Sequence, residues 1–266
     1  MDKSQCMNIF VIIDETSFYH PQFLADFLDK TNDQVVGVGV VTKIPEKHNI
    51  ERYMVRNWRY LTIPEIARLG IRKYFYKACD VFQQFVHNKT HWCSVRSVCK
   101  DFDLDWFEIH NDINQKCYLV RIAEAKPDII ISSCSLIFGE ALLSLPSIAC
   151  INRHSALLPA YKGLWPVFQA VRNGEEYTGV SIHTMERTID TGKVLSFRKV
   201  PITTNTSVST LYSRCFEVST DALLEALDNI RNDHWQGDAT GQRPSYFSFP
   251  TAEQWAQFRK RGGRFI

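Results

Sequence analysis

The sequence predicts an α/β fold in which a mostly parallel sheet is covered by helices on both faces. Three observations carry this expectation: short β-branched runs, helical patterns between them, and a length of 266 residues that suffices to bury a full core. The first run, NIFVII from Asn8 to Ile13, is followed by a helical stretch from Pro21 to Lys30 and then by QVVGVGVV from Gln34 to Val41. That is a βαβ opening with a strand type buried on both faces. DIIIS from Asp128 to Ser132 and the run Ile148 to Ile151 repeat the signal, preceded by helical patterns at Ile113 to Ala125 and Phe138 to Leu145. Alternation of this kind implies a doubly wound, Rossmann-like sheet, whose ligands bind beyond the carboxyl ends of the strands. A strand-like stretch from Lys193 to Ile202 follows, then one long amphipathic pattern from about Ser207 to Arg231. The aromatic, basic tail is expected to wrap the surface, with a short helix from Ala252 to Arg261.

Composition narrows the function classes. Hydrophobic residues make up 45% and charged residues 23% of the chain, values of an ordinary globular protein, and a net charge of +2 argues against a polyanion binder. The eight cysteines are scattered, with neither a C-x-x-C pair nor a zinc-like His spacing, so no metal site is expected. Several lie in apolar runs, the pattern of buried free thiols in a reducing compartment. The apolar stretch at the N-terminus is too short for a signal peptide, and no run is long enough to span a bilayer, so the expected location is cytoplasmic. Matches to N-x-S/T at Asn88 and Asn205 are read as chance. The first loop, DETSFYHP, lacks G-x-G-x-x-G, so a dinucleotide cofactor is not indicated.

Between Glu51 and Lys100 the composition shifts. Ten Lys or Arg residues face three acidic ones, interleaved with Tyr53, Trp58, Tyr60, Tyr74, Phe75, Tyr76, Phe82, Phe85 and Trp92. One reading is a helical insertion whose aromatics pack on the core while basic stems cover the surface. The other is a basic platform for an anionic acceptor or a membrane surface.

Candidate chemistry gathers after the run Ile148 to Ile151. Singly, Asn152 is an ordinary turn or cap residue, His154 an ordinary structural histidine, and Asp190 before Thr-Gly an ordinary turn former. Together they head an ordered string: Asn152-x-His154, Leu157-Leu158-Pro159, Tyr161-Lys162-Gly163, Asn173-Gly174, Thr178-Gly179-Val180 and Ile189-Asp190-Thr191-Gly192. This string resembles the catalytic segment of the 10-formyltetrahydrofolate-dependent formyltransferases, in which the Asp of an Asn/His/Asp triad follows the Asn by 38 residues, as Asp190 follows Asn152 here. The resemblance is strongest from about Asp128 to Val200.

The residue types suit the implied reaction. Formyl transfer to an amine builds negative charge on the formyl oxygen, and donors must be aimed at it. Side chains two apart on extended backbone leave on the same side, so Asn152 and a protonated His154 are expected to serve one oxygen. Asp190 would favour the imidazolium and help remove the proton of the attacking amine. The resemblance further implies a folate pocket, with Ser135, Leu136, Ile137 and Phe138 on one side and Thr184 to Asp190, with Thr184 and Ile189 in the lead, on the other. For Leu136 and Ile137 ordinary core packing is an equal reading. His183 matches a histidine of the ribonucleotide-type enzymes, or simply ends a strand. Three departures stand out: Arg153 where an apolar or small residue is commoner, Ser155-Ala156 where the serine usually comes one place later, and Arg187-Thr188 where acidic or small residues are more usual ahead of the Asp.

The resemblance implies a catalytic domain over residues 1–203, with the insertion at about 51–100, and a C-terminal helix and tail over 204–266 packed on it. Only 76 residues follow Asp190, too few for the barrel domain of methionyl-tRNA formyltransferases. A small primary amine is therefore the expected partner, with a nucleotide-linked amino sugar in the lead, nucleic acid disfavoured and a homodimer left open. The alternatives are a tRNA enzyme without its barrel, a formyltetrahydrofolate hydrolase using water, and a silent folate-binding protein.

Overall fold

A computed structural model describes residues 6–16, 18–46, 49–83, 91–235 and 240–266. Phe85 and Asn88, singled out in the sequence, lie outside the described residues. The chain opens with β1 (Asn8–Asp14), α1 (His20–Lys30) and β2 (Gln34–Lys43), the βαβ unit expected from the apolar runs. Next come α2 (Ile50–Arg56), a 3-10 turn at Trp58–Tyr60, α3 (Ile63–Gln83), α4 (Val95–Asp101) and β3 (Trp106–His110). The unit α5 (Lys116–Glu124), β4 (Ile129–Ser133), α6 (Glu140–Leu143) and β5 (Ala149–His154) follows. The remainder comprises β6 (Lys162–Gly163), α7 (Pro166–Asn173), β7 (Tyr177–Thr184), β8 (Val194–Pro201), α8 (Val208–Glu217), α9 (Ser219–Arg231), β9 (Tyr246–Phe247) and α10 (Ala252–Lys260).

Seven strands form one sheet in the order β3-β2-β1-β4-β5-β7-β8. The first five in that order are parallel, and β7 and β8 run antiparallel to their neighbours. Apolar side chains alternate to opposite faces because strand periodicity is two. Ile9, Val11, Ile131 and Ile151 meet α1, α4 and α9 on one face, while Phe10, Ile12, Ile130 and Cys150 meet Ile122 of α5 and Leu142 of α6 on the other. Strand order reverses between β1 and β4, the switch point where such sheets open a crevice. Here Asp14 at the end of β1 accepts from the Ser135 hydroxyl (2.6 Å) and backbone N–H (3.2 Å), tying the two strand ends together. Burial raises the Asp14 pKa to about 6 despite these bonds.

Two expectations change. The single amphipathic pattern from Ser207 to Arg231 is two helices meeting at Val218. No Gly or Pro breaks it; the Ser219 hydroxyl bonds back to the Cys215 carbonyl at 2.6 Å, a local bond that bends helices. The 51–100 segment only partly packs its aromatics. Tyr53, Tyr60 and Trp92 join the interior, but Trp58, Tyr74, Phe75 and Phe82 are exposed. The tail carries α10 as expected, and Trp255 and Phe258 are buried against Trp165 and Phe168 of the α7 region.

Candidate active site

Strand β5 delivers Asn152 and His154 to the same sheet face at its carboxyl end. Antiparallel pairing sets Asn152 opposite His183 of β7, and His154 opposite Ser181. The β7–β8 connection then brings Asp190 back over them. Asp190 has a φ of 52°, a left-handed conformation that Asp tolerates better than most residues. Gly192 makes this turn feasible, because a Cβ there would lie 1.7 Å from the Thr184 carbonyl oxygen. At Gly163, whose φ is 87°, a Cβ would lie 2.2 Å from the Phe247 carbonyl oxygen, so β6 pairs with β9 without a side chain between them. The Gly163 N–H donates to Asp190 Oδ2 at 2.8 Å.

The hydrogen bonds assign the ring protons. His154 Nε2 lies 2.9 Å from the Tyr161 carbonyl, which only accepts, so Nε2 carries the hydrogen and Nδ1 faces Asp190 Oδ2 at 3.7 Å. His183 Nδ1 donates to the Thr184 carbonyl at 2.8 Å, leaving Nε2 to accept from Asn152 Nδ2 at 3.2 Å. His183 Nε2 also lies 3.6 Å from Asp190 Oδ1. Asp190 thus sits between two imidazoles, slightly beyond hydrogen-bond length from each. Burial alone would raise its pKa, yet His154, His183, the Gly163 N–H and Lys162 outweigh burial and hold it below the usual carboxylate value. Burial drives His183 down to about 4, more than Asp190 restores, so it is neutral at physiological pH.

The proposed cofactor residues separate into two groups. Leu136 and Phe138 are buried in the core beneath the loop, and Ser135 is bonded to Asp14. Thr184 accepts the Lys193 N–H at its hydroxyl (2.9 Å) and closes the hairpin. For Leu136 and Phe138 the side chains go to packing because this loop has to cover the α5 and α6 face of the sheet. Ile137 and Ile189 remain exposed. Their loops face each other, since Arg187 Nη2 lies 3.5 Å from Glu140 Oε2. Exposed apolar side chains on two facing loops fit a flat heteroaromatic ring.

Several participants escaped sequence reasoning. Asn114 donates to the Ile137 carbonyl (3.0 Å) and accepts from the Gly139 N–H (2.6 Å), clamping the first loop like a peptide. Its Asp112-Ile113-Asn114 turn follows β3, a strand absent from the sequence reading, so its position was not legible. The Tyr161 carbonyl and the Gly163 N–H are backbone groups without a sequence signal of their own. His183, left open between ligand and strand end, stands within the cluster.

Two of the departures prove to be one feature. Arg153 points to the opposite face from Asn152 and His154, where Nη2 donates to the Ser155 hydroxyl (2.8 Å) and Nε to the Ser219 hydroxyl (2.9 Å). Its guanidinium lies 3.5 Å from the centre of the Phe216 ring. Burial lowers its pKa to about 10, leaving it charged, and among the described residues it has no carboxylate partner. Burial and then the Arg153 charge push neighbouring His20 to about 3. No cluster of metal-ligating groups occurs among the described residues.

Known proteins resemble this chain in sequence or in fold. Methionyl-tRNA formyltransferases of Macrococcus caseolyticus and Thermotoga maritima are 37% identical over 111 residues and 33% identical over 138 residues. Those matches cover 41% and 52% of this chain but 36% and 44% of the relatives, so the chain spans less than half the length of the curated relatives it matches. A sugar N-formyltransferase from Shewanella sp FDAARGOS_354 superposes with a TM-score of 0.56 at 17% identity, covering 91% of this chain and 77% of that one. Glycinamide ribonucleotide transformylase 1 from Symbiobacterium toebii gives 0.58 at 16% identity, covering 88% and 90%. At such identity these two similarities concern the fold. The family model described as formyl transferase matches residues 7–227, a span that takes in the sheet, both facing loops and the whole polar cluster, and the chain belongs to that family.

Proposed function

We propose that this chain transfers a formyl group from 10-formyltetrahydrofolate to a primary amine of a small acceptor, with a nucleotide-linked amino sugar as the leading acceptor class. The observation that carries the reading is the carboxylate of Asp190 held between His154 and His183 beside the Asn152 amide. The loops bearing Ile137 and Ile189 would hold the pterin ring, and the bound cosubstrate supplies an activated formyl group there.

The chain's own groups divide the remaining work. Asn152 has one amide hydrogen on His183 and a second to offer, while His154 as imidazolium adds its Nδ1–H; both suit an oxygen on which negative charge builds. This refines the simpler expectation of two uncommitted donors, since His154 Nε2 is engaged by Tyr161. Asp190 stabilises the imidazolium and accepts the proton lost by the attacking amine, directly or through water. That proton returns to the nitrogen from which the formyl group departs, so the transfer needs no net acid or base. His183 stays neutral and orients Asn152, which its Nε2 lone pair can do only while unprotonated.

Support for the acceptor class is chemical: a nucleotide offers a base that stacks on aromatic rings and a diphosphate that pairs with Arg. The test is tetrahydrofolate release from 10-formyltetrahydrofolate by purified protein, with and without a panel of amines including nucleotide-linked 3-amino and 4-amino sugars. Release that requires one amine, which gains a formyl group by mass, is the expected result. Release without any amine would replace transfer by hydrolysis. Transfer confined to methionyl-tRNA would favour the second reading, which the 33–37% identity to tRNA formyltransferases keeps in view.

A further inference from the structure

Helix α3 is amphipathic in the reverse of the usual sense. Its 21 residues span about 31 Å. The side facing the protein carries its polar anchors: Glu65 binds Arg259 (2.9 Å) and the Phe265 N–H, Arg72 binds the Ser209 hydroxyl, and Asp80 accepts from Ser97. The opposite side is apolar and open. Ile63 is 83% exposed, Tyr74 76%, and Ile71 and Phe82 70% each. These positions, with Ala67 and Ala78, fall on one stripe at helical spacing. Val55 and Trp58, immediately before the helix, are exposed as well. Large exposed apolar side chains aligned along one helix face are the kind of surface that marks an interaction site.

The charge around the stripe selects its partner. Arg68 lies on one flank, Lys73 and Lys77 on the other, while both acidic residues of the helix are turned inward. A second copy of the chain would set these basic rims against each other, a like-charge cost. An anionic surface complements them, with Lys and Arg stems extending past the apolar stripe and Trp58 and Tyr74 suited to the headgroup level. A second observation adjoins the first. Arg68 also lines a cleft of about 360 Å³ with Arg214, Arg264 and the hydroxyl residues Thr204, Ser207 and Thr210. Arg68 Nη1 donates to the Ile266 carbonyl at 3.3 Å, and Arg214 and Arg264 form no ion pair among the described residues.

We propose that α3 docks in the plane of a membrane bearing anionic lipids, its apolar stripe entering the headgroup–acyl boundary and the Arg68–Arg214–Arg264 cleft seating a lipid phosphate. No helix among the described residues is long and apolar enough to cross a membrane, so the contact is a surface one. The proposal stands independently of the formyl-transfer reading.

Vesicle flotation tests it, using the full chain with phosphatidylcholine vesicles and with vesicles containing phosphatidylserine. The expected result is binding at least roughly tenfold stronger to the anionic vesicles, weakening steeply as salt rises. Millimolar inorganic phosphate should leave the bound protein in place, since the apolar stripe holds it; complete release would reduce the site to one for free phosphate and overturn the docking. The double variant Ile71→Glu/Phe82→Glu should lose flotation, and Arg214→Ala/Arg264→Ala should weaken it severalfold, both with the wild-type thermal transition. A blue shift of tryptophan emission on anionic vesicles, lost in Trp58→Phe, reports the contact without relying on the charged variants. Equal recovery with neutral and anionic vesicles would overturn the proposal. So would a solution dimer that Ile71→Glu/Phe82→Glu dissociates, because a second copy would then cover the stripe.

Discussion

Strand β5 carries two polar rows, and they differ in what their neighbours demand. On one face Asn152 and His154 meet a carboxylate and a second histidine, in hydrogen bonds that leave a donor and an ion-pair gap open. On the other, Arg153 bonds both Ser155 and Ser219 under the Phe216 ring, without a counter-charge among the described residues. Each face also holds a neutral histidine, buried His183 on the first and partly covered His20 on the second. The difference teaches that burial and polarity do not by themselves mark chemistry. The row we propose for the chemistry is the one in which a carboxylate and two imidazoles face one another.

Substitutions can break this contrast. The largest effect is expected for Asp190→Asn, which removes the ionised partner while keeping the Gly163 N–H acceptor. Formyl transfer should fall on the order of 10²–10⁴-fold with an unchanged thermal transition. Substantial turnover in the folded variant would remove Asp190 from the proton route.

Arg153→Ala should act on the opposite property, lowering stability by about 2–4 kcal/mol through the cavity it leaves, as large-to-small changes in packed interiors do. Arg153→Met fills the space without the charge, and should shift stability by no more than about 1 kcal/mol because an uncompensated buried charge has little net benefit to lose. A loss of transfer in Arg153→Met comparable to that of Asp190→Asn would show that both rows serve the reaction. His183→Gln should lower kcat by about tenfold with little change in KM for the amine, since it orients Asn152 without touching the acceptor. A rise confined to KM would instead make His183 a binding residue.

The smallest effect is a slope. His183 resists protonation until about pH 4, whereas an unfolded chain protonates it near 6.5. The unfolded state therefore binds more protons between those values, and stability should be full above about 6.5 and decline as pH falls toward 4. Chemical denaturation across this range should show a shallower decline for His183→Gln than for the wild type; identical slopes would assign the acid sensitivity to other groups.

Much of this architecture was legible. Strands β1, β2, β4 and β5 read plainly because burial on both faces makes them unbroken apolar runs. Strand β3 did not, since WFEIH alternates at the sheet edge, with Trp106, Glu108 and His110 only partly covered. Strand β7 was legible only as the motif Thr178-Gly179-Val180: buried Ser181 and His183 interrupt its apolar character, and Ser181 instead binds the Ala156 carbonyl and the Leu158 N–H. In the site, the spacing of Asn152, His154 and Asp190 identified the family. It could not identify the partners that arrive from backbone, such as Tyr161 and Gly163, nor that Arg153 and Ser155 touch. Periodicity likewise revealed the apolar stripe of α3 without saying that it faces outward, because direction depends on what the other side finds to bind.

The antiparallel pairing of β7 carries a consequence for how a competent molecule is distinguished from a defective one. The register sets Asn152 opposite His183, and a bulge against β8 falls between Ile182 and His183. A mispairing of β5 with β7 by a single residue would keep the ladder bonds yet turn Ile182 toward Asn152 and bury His183 in the apolar core. That imidazole, already buried in the native register, would lose its Asn152 partner, and this penalises the error, so the polar cluster also guards the fold. If the cluster carries the proposed transfer, a slipped register would remove the activity as well.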